Sequence, residues 1–125
     1  MITLRGSVSA QRQPIVTITV RGILSRERVV DALLDTGFNG TLTLPPLMVL
    51  ELGMPFRFTR TIMLGDGTTQ DVSSHRGHIM WEGVERPTTV LSTGEQAIVG
   101  MGLLSGYRIS IDAIDGGDVT VELIE

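Results

Sequence analysis

The chain contains no cysteine. That excludes disulfides, thiol nucleophiles and zinc sites built on thiolates. It has two histidines, His75 and His78, three apart in a strand-like stretch, so a period of two sends them to opposite faces. They read as exposed strand histidines, and no metal site is expected. No apolar run reaches bilayer length: the longest, Ala97 to Leu104, is about half what a spanning helix needs and contains two glycines. Charge of one sign is also scarce. The net charge is −4 with the basic residues scattered, which argues against a nucleic-acid surface. There is no linker, internal repeat or polar low-complexity tract. The first residues, Met1 to Gly6, lack the charged-then-apolar layout of a signal peptide. The expectation from these absences is a soluble, cytoplasmic protein with one domain over residues 1–125.

What the chain does have is short strands and turns. Val16, Ile18 and Val20 alternate, as do Ile109 and Ile111, then Val119, Val121 and Leu123. Turn chemistry separates such stretches at Arg21-Gly22, Gly65-Asp66-Gly67, Glu82-Gly83, Ser92-Thr93-Gly94 and Asp115-Gly116-Gly117. Strands are predicted near 2–10, 14–21, 26–34, 56–64, 69–82, 85–92, 107–112 and 118–124. Pro45-Pro46 opens and Gly53 closes a short helix, and Met101 to Ser105 forms a second one stopped by Gly106. Many short strands with two small helices predict an all-β barrel or sandwich.

The most informative feature is Asp35-Thr36-Gly37. It ends the apolar run Val29-Val30-Asp31-Ala32-Leu33-Leu34. Alone, the tripeptide is also an ordinary strand-terminating turn. Its context separates the readings: a strand taken as buried on both faces at Leu33 and Leu34 is a costly place to end on a carboxylate that nothing uses. A second element follows, Ala97-Ile98-Val99-Gly100, an apolar strand ending in glycine before Met101-Gly102-Leu103-Leu104. Other motifs carry less. Gly100-x-Gly102-x-x-x-Gly106 is one residue too long for a dinucleotide fingerprint and reads as packing. Ser73-Ser74-His75 is no nucleophile arrangement, and Trp81 reads as core or interface.

Together, Leu33-Leu34-Asp35-Thr36-Gly37, a central hairpin, and Ile98-Val99-Gly100 before paired leucines resemble the retropepsin-like aspartic proteases, in the same order along the chain. Asp-Thr-Gly-Phe, and Leu44-Pro45 before a helix, are similar to small prokaryotic members. The resemblance implies an all-β acid-protease barrel carrying half of a two-fold active site. It implies Asp35 as the catalytic carboxylate, one from each subunit of a homodimer. Thr36 would brace the two loops across the dimer, and Gly37 would leave room for a peptide or protein substrate. Leu64, Gly65, Asp66, Gly67 and Thr68 would form the tip of a flap over it. Ile98, Val99 and Gly100 would pass beside the active-site loop. No cofactor or metal is implied.

The chain departs from the family at the position after the second glycine, where retroviral members carry a basic residue that locks the dimer; here it is Met101. The rival reading is a non-catalytic dimeric module that grips extended peptides on the same fold.

Overall fold

The computed structural model describes residues 1–125. Ten strands occur in the order β1 (Ile2–Val8), β2 (Pro14–Arg21), β3 (Glu27–Asp35), β4 (Leu42–Leu44), β5 (Phe56–Met63), β6 (Thr69–Trp81), β7 (Val84–Ser92), β8 (Ala97–Gly100), β9 (Tyr107–Ile111) and β10 (Asp118–Leu123). Helix α1 (Pro46–Glu51) follows β4, and α2 (Met101–Leu104) follows β8. Both helices start where the sequence predicts, and α2 stops at Leu104, one residue before the predicted Ser105. Pro46 occupies a first-turn position of α1, while Gly53 and Gly106 take the positive φ values, +63° and +92°, that end the helical segments.

The architecture is all-β. Six strands run β6-β7-β4-β8-β3-β2, and β2 pairs back onto β6 through Val20–Ile79 and Arg21–His78, closing a barrel. Closure rests on two residue pairs, and Arg21 clips this seam. Its guanidinium donates to Glu27 on β3 at 2.7 Å and to Glu85 on β7 at 3.3 Å. These bonds, chiefly the one to Glu27, hold the Arg21 pKa above its ordinary value. Outside the barrel, β5 extends β6 at one end of the sheet, and β1, β10 and β9 extend β2 at the other.

Inward-facing residues fill the barrel: Val16, Ile18 and Val20 from β2, Ala32 and Leu34 from β3, Leu42 and Leu44 from β4, Val90 and Val99. Leu103 and Leu104 of α2 close one end of this core. The alternation predicted for β2 is therefore the observed one. On β10, Val119 and Val121 are fully buried, while Leu123, at the strand end, is exposed.

Several expectations need correction. Strand β1 stops at Val8, because Ser9 N donates to Gln13 O and Arg12 takes φ +64° in a tight turn. Strand β4 has only three residues, too few for alternation to mark it. Strand β3 is not buried on both faces: Ala32 and Leu34 point inward, Leu33 is half-buried and Val29 is exposed. The histidines are not exposed either. Both are half-buried, and the His75 ring bonds to Met54 O and Ser73 Oγ at 2.9 Å each. Strand β10 has no free edge, since it pairs with β1 on one side and β9 on the other. The free edges of the sheet belong to β5 and β9.

Trp81 is a core residue with a polar tether. Its Nε1 donates to Tyr107 Oη at 2.9 Å, and Tyr107 donates onward to Glu82 at 3.0 Å. The two rings meet edge to face. Tyr107→Phe keeps the ring contact but strands a buried indole N–H. The expected loss is about 1–2 kcal/mol in urea unfolding, with the denaturant slope unchanged.

Candidate active site

Strand β3 ends on Asp35 because its own side chain turns the chain. Gly37 N donates to Asp35 Oδ1 at 2.8 Å, and Phe38 N donates to Asp35 O at 3.2 Å. Such a side-chain-to-backbone link stabilises a turn two residues on. Asp35 is half-buried, and Thr36 and Gly37 are exposed. The loop then runs through Phe38, Asn39 and Gly40 into β4.

Strand β8 threads between the two arms of this loop. It lies parallel to β3, pairing Leu34 with Val99 and Asp35 with Gly100, and antiparallel to β4, pairing Leu42 with Val99. The loop is then stitched to the start of α2. Gly100 N donates to Thr41 O at 2.9 Å, Met101 N to Phe38 O at 2.7 Å, and Gly102 N to Gly40 O at 2.9 Å.

The approach is so close that side chains are excluded. A Cβ on Gly100 would lie 2.3 Å from Gly40 O and 2.7 Å from Phe38 O. One on Gly102 would lie 2.8 Å from Asn39 O. These are backbone atoms fixed by the stitching bonds. The two glycines do have the packing role expected of them, and no βαβ unit follows.

Ile98, Val99 and Gly100 divide by face. Val99 is buried in the barrel core, and Gly100 is buried beneath the Phe38–Gly40 loop. Ile98 faces outward and is half-buried. It belongs to a row across the outer face, Leu33–Ile98–Thr43–Leu91–Ser74–Phe58, one residue per strand from β3 to β5. By the period of two, Asp35 shares this face with Leu33. Thr43, Leu91 and Ser74 are buried here although they lie outside the barrel core. The hydroxyls of Thr43 and Ser74 have no hydrogen-bond partner. Sequence reasoning missed Thr43, Leu91 and Ser74, because placing them needs the register of β4.

The hairpin β5–β6 is largely exposed, and its outer half, from Arg60–Val72 to Met63–Thr69, pairs with no other strand. Its tip is Leu64-Gly65-Asp66-Gly67-Thr68. Leu64 N donates to Thr68 O at 2.8 Å and Gly67 N to Leu64 O at 3.0 Å. Gly67 takes φ +86°, a conformation that glycine adopts without strain. Asp66 Oδ1 accepts from the Thr68 hydroxyl at 2.6 Å and from Thr68 N at 2.9 Å. These bonds hold the Asp66 carboxyl below its ordinary pKa.

No protein-family model matches the chain, and no curated protein matches it by sequence. Among solved structures it is similar to a retropepsin-like aspartic protease from Rickettsia conorii, with a TM-score of 0.52. The alignment covers 96% of this chain and 94% of that one at 13% identity. The likeness shows the fold: this all-β barrel with two short helices is retropepsin-like.

Two outcomes follow from the loop and the hairpin. Gly100→Ala forces the Phe38–Gly40 carbonyls apart, with an expected loss of about 2–3 kcal/mol in denaturant unfolding. The tip bonds of Asp66 are in force above the ordinary carboxylate range and are lost as pH falls through its lowered pKa. Thr68→Ala removes the larger cause, the hydroxyl bond, so the Asp66 pKa measured by carboxyl NMR moves up toward its ordinary value.

Proposed function

We propose that this chain is an aspartic endopeptidase, a single domain over residues 1–125 that works as a homodimer. The observation that carries the reading is the position of Asp35. The carboxylate ends a barrel strand, is tied by Gly37 N, and sits on a loop held by the Gly100–Gly102 stitch, on a retropepsin-like fold. One carboxyl is not enough for the chemistry. Two are needed on a shared proton, and the chain supplies one.

In the proposed dimer the two Asp35 carboxyls meet at the two-fold axis. Like charges at that distance do not both ionise, so the pair holds one proton and titrates as a unit. The ionised member takes a proton from a bound water. The protonated member donates to the scissile carbonyl oxygen as the water adds to the carbon. The resulting diol collapses with proton transfer to the leaving nitrogen. No covalent enzyme intermediate, metal or cofactor enters this scheme.

The substrate is an extended peptide bound beside Asp35, with the β5–β6 hairpin as the flap above it. Thr36, exposed beside Asp35, is free to bond across the axis. The subunits meet through the Asp35–Gly37 loops rather than through β10, whose edges are already paired.

The test is cleavage of an unbiased peptide library from about pH 4 to 7, by wild type and by Asp35→Asn. Wild type is expected to cut, and Asp35→Asn to lose cleavage by at least three orders of magnitude while its fold is retained. Asp35→Asn is also expected to dimerise at least as tightly, since two repelling carboxyls are removed, as sedimentation would show. A wild type that binds peptides but cuts none favours the non-catalytic module. Cleavage by Asp35→Asn equal to wild type overturns the assignment of Asp35.

A further inference from the structure

A cleft of about 320 Å³ opens on the barrel wall where β4, β6 and β7 meet the base of β5. Arg57, Arg76 and Arg86 are among its lining residues, and no Asp or Glu is; Arg76 leaves β6 on the outer face with Ser74, while Arg86 leaves β7 on the face of Ile79 and Trp81. None of the three arginines forms a salt bridge within the chain, although the chain as a whole is acidic and its other close ion pairs are made by Arg21, Arg28 and His78. Arg86 is held in place by stacking, its guanidinium 5.3 Å from the centre of the Trp81 ring.

The same wall carries an orphaned donor. Ser74 is fully buried and lines the cleft, yet its hydroxyl has no partner. A buried, unpaired hydroxyl destabilises the free fold, so it calls for a ligand or a function.

Two cations without counter-ions, with a hydroxyl donor and no competing carboxylate, form an environment for an oxyanion. Guanidinium forks suit the planar and tetrahedral geometry of carboxylate and phosphate groups. We infer that this cleft is an anion-binding site that takes a carboxylate or phosphate group. Ser74 donates to it, and Arg57 and Arg76, the latter on the same face of β6 as Ser74, neutralise it.

The register also says where such a group comes from. Asp35 pairs with Gly100, whose N–H bonds Thr41; Thr41 Oγ1 bonds Thr89 O at 2.6 Å, and Thr89 pairs with Arg76. Four inter-strand steps of about 4.8 Å put Arg76 at most about 19 Å from Asp35 along one row. An extended chain covers that in about four to six residues. The anion is therefore an acidic side chain of the bound peptide, four to six residues from the scissile bond. This source rests on the proteolytic reading; the site itself does not.

The experiment titrates the full chain, at low ionic strength and pH 7, with two probes followed by NMR. The first probe is inorganic phosphate, with chloride as the ionic-strength control. The second is a pair of twelve-residue peptides that differ in one Glu or Gln near an end. Saturable phosphate binding is expected, at least tenfold weaker in the exposed-residue double variant Arg57→Gln, Arg76→Gln. The Glu peptide is expected to bind more tightly than its Gln partner, and that difference should vanish in the double variant.

Ser74→Ala provides a second signature. It removes a buried unpaired hydroxyl, so Tm rises by about 3 °C while phosphate affinity falls; a merely structural serine would not couple the two. Asp35→Asn leaves phosphate binding unchanged, which separates this site from the catalytic reading. Phosphate binding with no Glu preference supports the site but overturns the peptide as its source. No saturation with either probe, or binding unchanged in the double variant, overturns the proposal.

Discussion

The contact on which the rest of the candidate site depends is backbone against backbone, where Gly100 and Gly102 lie under the Phe38–Gly40 loop. Three hydrogen bonds of 2.7–2.9 Å join the two segments. They form only because neither glycine has a side chain. Through this contact the end of β3, the loop, β4 and the first turn of α2 become one rigid unit. Asp35 is positioned by that unit rather than by its own side-chain packing, since the one hydrogen bond to its carboxylate comes from Gly37 N. A carboxylate held on rigid backbone, half-buried and facing outward, is suited to meeting a second copy of itself at a shared axis.

Much of this was legible in the sequence. The apolar run into Asp-Thr-Gly placed the carboxylate at a strand end, and Pro46 and Gly53 bracketed α1 through the φ values each residue favours. Ile98-Val99-Gly100 read correctly as a short strand ending in glycine. The failures are where tertiary pairing outweighs local pattern. Strand β4 has three residues and no periodicity of its own; it exists because β7 and β8 flank it on both sides. The outer row from Leu33 to Phe58 was invisible for the same reason, since each member comes from a different strand. Leu33 read as core because it is apolar, whereas the closure of the barrel assigns inner and outer faces.

The histidines and arginines make a related point. Adjacent in sequence, Ser74, His75 and Arg76 have three different fates. His75 is fully bonded to Met54 O and Ser73 Oγ, Ser74 has no partner, and Arg76 lines a cleft with Arg57. Alternation along β6 separates the side chains, but their partners are decided by what β5 and β7 bring alongside. Composition showed scattered basic residues; the fold brings Arg57 and Arg76 to one cleft. Local clustering of charge is thus a property of the sheet register and not of the linear chain.

The threading of β8 between β3 and β4 has a consequence for how the protein is made. Asp35 and Gly100 are neighbours in the sheet, yet most of the chain lies between them. During synthesis from the N-terminus, the Asp35 loop leaves the ribosome long before the strand that splits it and the helix that pins it. Until then β3 and β4 have no strand between them, and the loop carbonyls have only water. Such non-local, partly parallel pairing is slow to form. The carboxylate therefore gains its fixed position only once β8 and the first turn of α2 have been made, and a nascent molecule lacking them carries the Asp-Thr-Gly segment without the stitch that fixes it.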